Sequence, residues 1–325
     1  MLITRTPFRV SFFGGGTDFY EYFSEYGGSV LSTAIDKYCY VTLRNMPPLF
    51  DYKNQLTYSK IERFNSPDEL QHPLVREALK YIPTDRIQIA YDADLPACSG
   101  LGSSSAFAVG LLQGLHALRD EYPDAMTLAK EAIHLERTLC DEAGGVQDQL
   151  ATAFGGLNRI DMNADGYKVT PVEISDERLE ALRKNFMLLF TGFTRHSGII
   201  ASTQQKTIPA TLSQLHEMKS LVPVAEKILT GGDPDDFGRM LNHTWQLKRT
   251  LTNQISNEAI DIIYEKAIQS GALGGKILGA GGGGFMLLYV PEDHQENIRR
   301  QFTDFEFIPF GFEKSGSKII THKKS

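Results

Sequence analysis

The stretch "SGLGSSSA" (99–106) combines the residue types that bind phosphate groups in many proteins. A strand-like alternation precedes it at 86–95, and apolar residues recur at helical spacing from Ser103. The start of a helix presents unpaired N–H groups and a positive dipole end to an anion, and Gly100 and Gly102 permit close backbone approach. A plain turn capped by Ser103 would explain the same pattern. The stretch alone leaves both interpretations open.

Three well-known phosphate motifs do not fit this stretch. A P-loop requires a lysine directly after the glycines, and none occurs between Gly102 and Lys130. A dinucleotide fingerprint requires a second parallel strand, whereas the apolar spacing of 122–137 predicts another helix. The strand lysine and HRD segment of protein kinases are missing as well. What remains is a phosphate held at a helix N-terminus.

The stretch "FRVSFFGGGTD" (8–18) could contact a sugar. Its first half reads as a strand that carries Arg9, and the triple-glycine turn then presents Thr17 and Asp18. A hydroxyl and a carboxylate exchange hydrogen bonds readily with sugar hydroxyls. Asp18 as a simple helix cap is the alternative.

Three further features add to this pattern. Glu136 lies beside the apolar stripe of a predicted helix at 126–141, so its carboxylate should be partly solvated. Such a carboxylate could bind Mg²⁺, or it could be an ordinary residue at the edge of the helix. Asp148 follows a Gly-Gly turn and is otherwise a cap, while "GAGGGG" (279–284) either approaches a ligand or forms a tight turn. Together these signals describe a phosphoryl-transfer site.

Hydrophobic periodicity predicts the elements that must position these residues. Strands are predicted at 8–13, 29–44, 86–95 and 186–190, and helices near 17–26, at 73–81, from Ser103, at 126–141, after the turn at 142–146, and within 211–232, 233–253 and 257–272. The polar segment near 170–185 is a plausible domain boundary. The pattern predicts a mixed α/β protein with a more helical second half.

Composition excludes several functional classes. A length of 325 residues favours two domains, and 33 basic against 40 acidic residues, a net charge of −7, argue against a nucleic-acid partner. No apolar run is long enough to span a membrane and no secretory signal is evident, so a cytoplasmic location is expected. Three cysteines without Cys-x-x-Cys spacing argue against a disulfide framework or a zinc site.

In these motifs the chain resembles the GHMP small-molecule kinases, a family named for galactokinase, homoserine kinase, mevalonate kinase and phosphomevalonate kinase. The matching motifs are "TPFRVSFFGGGTD" (6–18), "PACSGLGSSSA" (96–106), "EAGGVQDQ" (142–149) and "KILGAGGGGF" (276–285). The resemblance implies an α+β, two-lobed fold with a mixed or antiparallel N-terminal sheet plus helices and a helix-rich C-terminal α/β lobe. It divides the chain into an ATP-binding domain at 1–178 and a C-terminal domain at 179–325.

The resemblance also implies ATP and Mg²⁺ as cofactors. The positions that it implies for nucleotide binding are Pro96, Ser99, Gly100, Leu101, Gly102, Ser103, Ser104 and Ser105. Ser104 and Glu136 would ligate the metal. Asp148 would take the proton of the attacking hydroxyl, and Arg9 would stabilise charge beside it.

Within the family, the wording "RVSFFGGGTD" with "GGVQDQ" most resembles the bacterial group that phosphorylates the anomeric oxygen of D-glycero-D-manno-heptose 7-phosphate, a step toward nucleotide-activated heptose for surface polysaccharide. Galactokinases carry a Glu-His pair where this chain has Gly15 and Gly16, which argues against galactose. The implied substrate-binding positions are Gly15, Gly16, Thr17, Asp18, Gly145, Arg195, Lys248, Gly281 and Gly282.

The acceptor remains open at this level. Arg195, or Lys248 with Arg249, would meet a phosphate already on the sugar, although the last two equally fit a solvated helix face. An unphosphorylated sugar of the fucose or mannose type, or a catalytically silent sugar sensor, are the alternatives. The sequence does not indicate the oligomeric state.

Overall fold

The computed structural model describes residues 1–193 and 197–323. Its strands are β1 (Leu2–Phe13), β2 (Gly28–Asn45), β3 (Asn54–Thr57), β4 (Ile61–Phe64), β5 (Ile87–Ala93), β6 (Leu157–Asn163), β7 (Gly166–Pro171), β8 (Phe186–Phe190), β9 (Gly274–Ile277), β10 (Phe285–Tyr289), β11 (Phe307–Ile308) and β12 (Lys318–His322). Its helices are α1 (Tyr20–Tyr26), α2 (Pro73–Tyr81), α3 (Ser103–Leu118), α4 (Ala125–Ile133), α5 (Gln147–Phe154), α6 (Asp176–Lys184), α7 (Ser197–Thr207), α8 (Leu212–Gly231), α9 (Pro234–Arg249), α10 (Glu258–Gln269) and α11 (Glu292–Gln301).

The first sheet is mixed and mainly antiparallel. Its strands run in the order β12-β1-β2-β5-β3-β4, with β6 and β7 extending from β2, and only the β3–β5 pair among the described strands is parallel. Residues of β1 are buried without interruption from Thr6 to Phe13, because α3, α5, α8 and α9 pack against this strand and Phe12 stacks on Phe186 of the second sheet. This confirms the predicted N-terminal sheet and places Arg9 inside the molecule.

Helix α3 packs closely against β1 and β2. Two glycines permit the approach, since a Cβ atom at Gly114 would lie 2.0 Å from Leu43 and one at Gly110 would lie 2.7 Å from Thr6. The apolar face of α3 is buried along its whole length, so its N-terminus is fixed relative to the end of β1.

The second sheet, β11-β8-β10-β9, is antiparallel and packs against α9, whose Trp245 is fully buried. The chain then returns, because β12 pairs with β1 in the first sheet. The backbone of this last strand thus completes the edge of the N-terminal sheet, although it follows the predicted division at 178/179 in the chain. Within the described residues, no helix is both long and apolar enough to cross a bilayer.

Several predicted elements agree with the structure residue by residue, namely those at 73–81 and 186–190 and the helix that begins at Ser103. The helix expected at 126–141 instead ends as α4 at Ile133 and continues as a π-helical turn, His134–Leu139. Helices α6, α7 and α11 were not predicted. They carry charged or weakly patterned sequences, and the polar segment taken as a boundary forms α6.

Candidate active site

A cavity of about 730 Å³ lies where the end of β1, the start of α3, the start of α5 and the second sheet meet. The residues predicted for the site that line it are Arg9, Gly15, Gly16, Asp18, Gly100, Gly102, Ser103, Ser104, Ser105, Glu136, Gly145, Asp148 and Lys248. Residues as far apart in the chain as Arg9 and Lys248 thus line one cavity. The volume of this cavity and the polar groups that line it are typical of a small-molecule binding site.

Arg9 and Asp148 form a two-armed ion pair in this cavity. The Arg9 Nε donates to Asp148 Oδ1 at 2.8 Å, and Nη2 donates to Oδ2 at 2.6 Å. The Arg9 side chain is only 3% exposed and also donates from Nη1 to the carbonyl of Gly100 at 2.6 Å. The pair therefore joins the predicted base to the phosphate-binding loop.

Helix α3 begins at this loop. Its N-cap is Gly102 at φ +74°, with no side-chain cap hydrogen bond, so the alternative in which Ser103 caps the helix is wrong. A Cβ atom at Gly102 would lie 3.1 Å from the Arg9 side chain, and one at Gly100 would lie 2.4 Å from the Leu278 carbonyl. Glycine is thus required at both positions, and the uncapped N–H groups of the first turn remain available to an anion.

Glu136 is more deeply buried than its sequence position indicated, with 1% exposure. Glu136 lies in the π-helical turn, which departs from the α-helical spacing on which the expected partial solvation depends. Its Oε1 accepts from Ser104 Oγ at 2.9 Å, and its Oε2 accepts from Ser105 Oγ at 2.7 Å and from the Gln149 amide.

The carboxylate of Glu136 therefore has neutral hydrogen-bond partners, and no cationic side chain of the described residues lies within ion-pair distance of it. A buried anion without a cationic partner is costly. Together with the Ser104 hydroxyl it forms an oxygen pair that suits Mg²⁺, which commonly binds one or two carboxylates plus phosphates. Within the described part of the chain, no group of three or more histidine, cysteine or acidic side chains is placed to hold a metal ion.

Asp18 is also buried, at 3% exposure. Burial is the main cause that raises its pKa, and the nearby Asp148 charge adds to it, while hydrogen bonds from Gly16 N at 2.8 Å and Gln147 Nε2 at 2.9 Å act in the opposite direction. Gly145 lies so close that a Cβ atom there would be 1.8 Å from Asp18 Oδ2. The triple-glycine turn and the first turn of α5 thus both fix the Asp18 carboxylate at the cavity wall.

Thr17 differs from its neighbour. Its hydroxyl donates to the carbonyls of Gly14 and Ser29, at 2.8 and 3.0 Å, and accepts from Ser29 N. The side chain is fully buried and does not line the cavity. The geometry assigns Thr17 to fixing the turn instead of to sugar contact.

Two buried lysines line the cavity from the second lobe. Lys248 is 5% exposed and donates to the carbonyls of Gly279 and Ile277, so it is not on a solvated helix face. Burial, with the Arg9 charge, lowers the pKa of Lys248 to about 8. Lys276 donates to the carbonyls of Ser11 and Phe12 at 2.9 and 3.0 Å, and burial lowers its pKa well below the usual range.

Some predicted positions lie elsewhere. Of the described residues, Pro96, Ser99, Leu101, Gly281 and Gly282 do not line the cavity. Pro96 is exposed, Leu101 is a core residue, and the Gly282 N–H donates to the Ile255 carbonyl. Gly279 and Ala280, the first part of the "GAGGGG" loop, are the lining residues instead. Arg249 pairs with Asp261 at 2.9 Å, and Arg195 lies outside the described residues.

Sequence reasoning missed several lining residues: Ser11, Arg137, Glu142, Gln147 and Lys276. The motif "GGVQDQ" contained Gln147, and "KILGAGGGGF" began with Lys276, so both were visible beside residues that were chosen. Glu142 likewise opened the motif "EAGGVQDQ". Arg137 had no local signal, because it lies in a π-helical turn and no periodic pattern predicts such a turn.

Two protein-family models match the chain. Residues 73–156 match the model of the GHMP kinases N terminal domain, and residues 221–306 match that of the GHMP kinases C terminal domain. The two matches together cover just over half of the chain and include the α3 loop, Glu136, Asp148 and Lys248.

Individual relatives are similar along most of the chain. A D-glycero-alpha-D-manno-heptose 7-phosphate kinase of Campylobacter jejuni is 29% identical over 97% of both chains. A bifunctional fucokinase/GDP-fucose pyrophosphorylase of Arabidopsis thaliana is 26% identical over 91% of this chain, which spans only 30% of that protein. A solved structure of a D-glycero-D-manno-heptose 1-phosphate kinase from Bacteroides thetaiotaomicron superposes over 100% of both chains with a TM-score of 0.82 at 24% identity, which shows the same fold.

Proposed function

Because the chain belongs to the GHMP kinase family, we propose that this sugar kinase transfers the γ-phosphoryl group of ATP to the anomeric hydroxyl of D-glycero-D-manno-heptose 7-phosphate. The product is the 1,7-bisphosphate, which enters the synthesis of nucleotide-activated heptose for surface polysaccharide. The observation that carries the proposal is the Arg9–Asp148 ion pair, which lies between the N-terminus of α3 and the buried Asp18 carboxylate in one cavity.

The α3 loop supports binding of the ATP phosphates. Gly100 and Gly102 bring backbone close to the ligand, and the first-turn N–H groups of α3 face a developing negative charge. Ser104 and Glu136 would hold Mg²⁺, which supplies positive charge against the triphosphate when bound. These groups favour charge stabilisation, which is most of what phosphoryl transfer requires.

Asp148 acts on the acceptor in this mechanism. Its carboxylate accepts the proton of the anomeric hydroxyl as the new O–P bond forms and the bond from the γ-phosphorus to the bridging oxygen breaks, and ADP leaves with that electron pair. Arg9 holds both carboxylate oxygens and thereby fixes the orientation of the base. An anomeric hydroxyl is more acidic than an ordinary sugar alcohol, so the demand on Asp148 is moderate.

The acceptor assignment draws on the turn that carries Asp18 and on the relatives. Gly15 and Gly16 line the cavity without side chains, which leaves room for a seven-carbon sugar, and Asp18 with Gln147 offers polar atoms for its hydroxyls. One relative that matches over 97% of both chains, at 29% identity, carries a heptose 7-phosphate name.

The test is to incubate the protein with MgATP and each of heptose 7-phosphate, free heptose, mannose and fucose, and to locate new phosphate by phosphorus NMR. A second phosphate on the anomeric carbon of heptose 7-phosphate is the expected result. A new signal on fucose alone would favour the activity named for the fucokinase relatives instead. Phosphate on any position other than the anomeric carbon would reject the proposed chemistry.

A further inference from the structure

Four cationic side chains of the described residues line the cavity: Arg9, Arg137, Lys248 and Lys276. Three of them are committed to partners. Arg9 is bound to Asp148 and the Gly100 carbonyl, Lys248 to two carbonyls of the loop after β9, and Lys276 to two carbonyls of β1. A phosphate group on the acceptor would have to displace these existing partners in order to bind any of the three.

Arg137 differs from them. Its one hydrogen bond within the described part of the chain runs from Nη1 to the Glu142 carbonyl at 2.9 Å, and its Nε is buried with no hydrogen-bond partner. No carboxylate of the described residues lies within ion-pair distance of its guanidinium, although the Glu142 carboxyl is near enough to interact electrostatically. A buried guanidinium N–H without an acceptor is costly, which points to a ligand that supplies one.

The position of Arg137 favours the acceptor over ATP. Its guanidinium lies against Gly144, where a Cβ atom would be 2.9 Å from Nη1, and the next residue, Gly145, packs against the Asp18 carboxylate. The loop that Arg137 contacts is therefore the one that bounds the proposed sugar position. The preceding residue, Glu136, contacts Ser104 and Ser105 on the triphosphate side, whereas the guanidinium of Arg137 contacts the Gly144 loop.

The chemistry of the acceptor also requires a separate cation. A sugar phosphorylated at the end opposite to its reacting hydroxyl presents that phosphate away from Asp148, and hence away from Arg9, which is bound to it. A planar guanidinium with free N–H groups binds phosphate oxygens in a forked geometry.

We propose that Arg137 binds the phosphate group that the acceptor already carries and thereby selects phosphorylated over free sugars. The inference rests on the proposed function, since it concerns the acceptor of that same site. It differs from the sequence prediction, in which Arg195, or Lys248 with Arg249, took this role.

The test compares wild type with Arg137→Gln and Arg137→Lys, with heptose 7-phosphate and free heptose as acceptors. Arg137→Gln should raise KM for heptose 7-phosphate by about 10- to 100-fold, with Arg137→Lys in between, because a charge-assisted forked contact is lost. The KM for ATP and kcat/KM for free heptose should stay close to wild type. Arg239→Gln, at an exposed arginine paired with Asp236 on α9, is the matched control and should change neither.

Each other outcome has one meaning. An equal loss on both acceptors would overturn the inference and assign Arg137 to loop structure alone, and a raised KM for ATP would assign it to the donor phosphates. A wild-type enzyme without preference for phosphorylated sugars would reject the proposed acceptor before any variant is measured, and this inference with it. If wild type prefers another sugar phosphate, only the heptose assignment fails, and the same variants are compared on that sugar and its free form.

Discussion

The guanidinium of Arg9 and the carboxylate of Asp148 meet through two hydrogen bonds of 2.6 and 2.8 Å, although 139 residues separate them in the chain. The same guanidinium holds the Gly100 carbonyl, and the Arg9 backbone N–H donates to the Leu101 carbonyl at 3.0 Å. One side chain thus connects the start of α5 with the loop that begins α3. Any displacement of the phosphate loop would be transmitted to Asp148.

Replacement of Asp148 by Asn tests its role as base. The amide cannot accept the proton of the acceptor, so kcat should fall by roughly two to four orders of magnitude, while KM for ATP changes little. Steady-state kinetics with MgATP and heptose 7-phosphate measure both. Asp165→Asn, in the exposed turn between β6 and β7, is the control and should behave as wild type. Near-normal turnover in Asp148→Asn would remove this residue from catalysis.

Replacement of Arg9 by Lys tests the ion pair. A single ammonium cannot make two parallel hydrogen bonds to Asp148 and a third to the Gly100 carbonyl, so we expect kcat to fall by about 10- to 100-fold and the melting temperature to drop. Arg239→Lys, on the exposed face of α9, is the matched control. Unchanged kcat together with a lowered melting temperature would make the pair structural only.

The residues that the motifs singled out converge in one cavity because each motif lies where a regular element begins or ends. Strand periodicity placed Arg9 on a strand, and the change to helical spacing located the start of α3. The triple-glycine turn placed Asp18 in a loop at the end of β1. Glycine at 100 and 102 is required by close backbone and side-chain contacts, which is the physical basis of the motif. These features are local, and local patterns are what a sequence displays.

What the sequence did not reveal depends on long-range packing. Thr17 and Asp18 are adjacent in one turn, yet their side chains differ in role. The Thr17 hydroxyl donates to the Ser29 carbonyl, whereas the Asp18 carboxylate lines the cavity and accepts from Gln147. Only these contacts with distant residues distinguish the two. Lys248 looked equally suited to solvent until the second sheet covered it. The return of β12 to the first sheet likewise depends on contacts between the two ends of the chain.

Replacement of Gly145 by Ala tests the acceptor side of the cavity. The new Cβ atom would lie 1.8 Å from Asp18 Oδ2, so the carboxylate must shift, and KM for the sugar should rise about tenfold or more while KM for ATP is little affected. Gly231→Ala, where nothing lies within 4 Å, is the control. Equal increases in both KM values would indicate that the whole cavity, and not the sugar position, is disturbed.

Replacement of Glu136 by Gln tests the proposed metal position. Loss of the negative charge should raise the Mg²⁺ concentration needed for half-maximal binding of a fluorescent ATP analogue by roughly tenfold or more, since Mg²⁺ prefers anionic oxygen ligands. This readout does not require turnover. Glu177→Gln, at an exposed position of α6, should leave the Mg²⁺ requirement unchanged. A requirement equal to that of wild type in Glu136→Gln would place the metal elsewhere.

Buried Lys248 should also make stability depend on pH. Its pKa is about 8 in the folded protein and about 10.4 when unfolded, so between these values the unfolded state binds more protons. Unfolding free energy of wild type relative to Lys248→Met should therefore increase as pH rises from 8 to 10.4, by on the order of 3 kcal/mol in total, and stay constant below pH 8. Denaturant titrations of both proteins across this range measure the difference between their unfolding free energies. Because the other ionisable groups are the same in both proteins, their contributions cancel in this difference. A difference that is flat or decreases with pH would mean that Lys248 keeps its charge in the folded protein. If the unfolding free energy increases with pH as expected, a phosphate bound near Lys248 should move that increase to higher pH, because a nearby anion favours the charged ammonium.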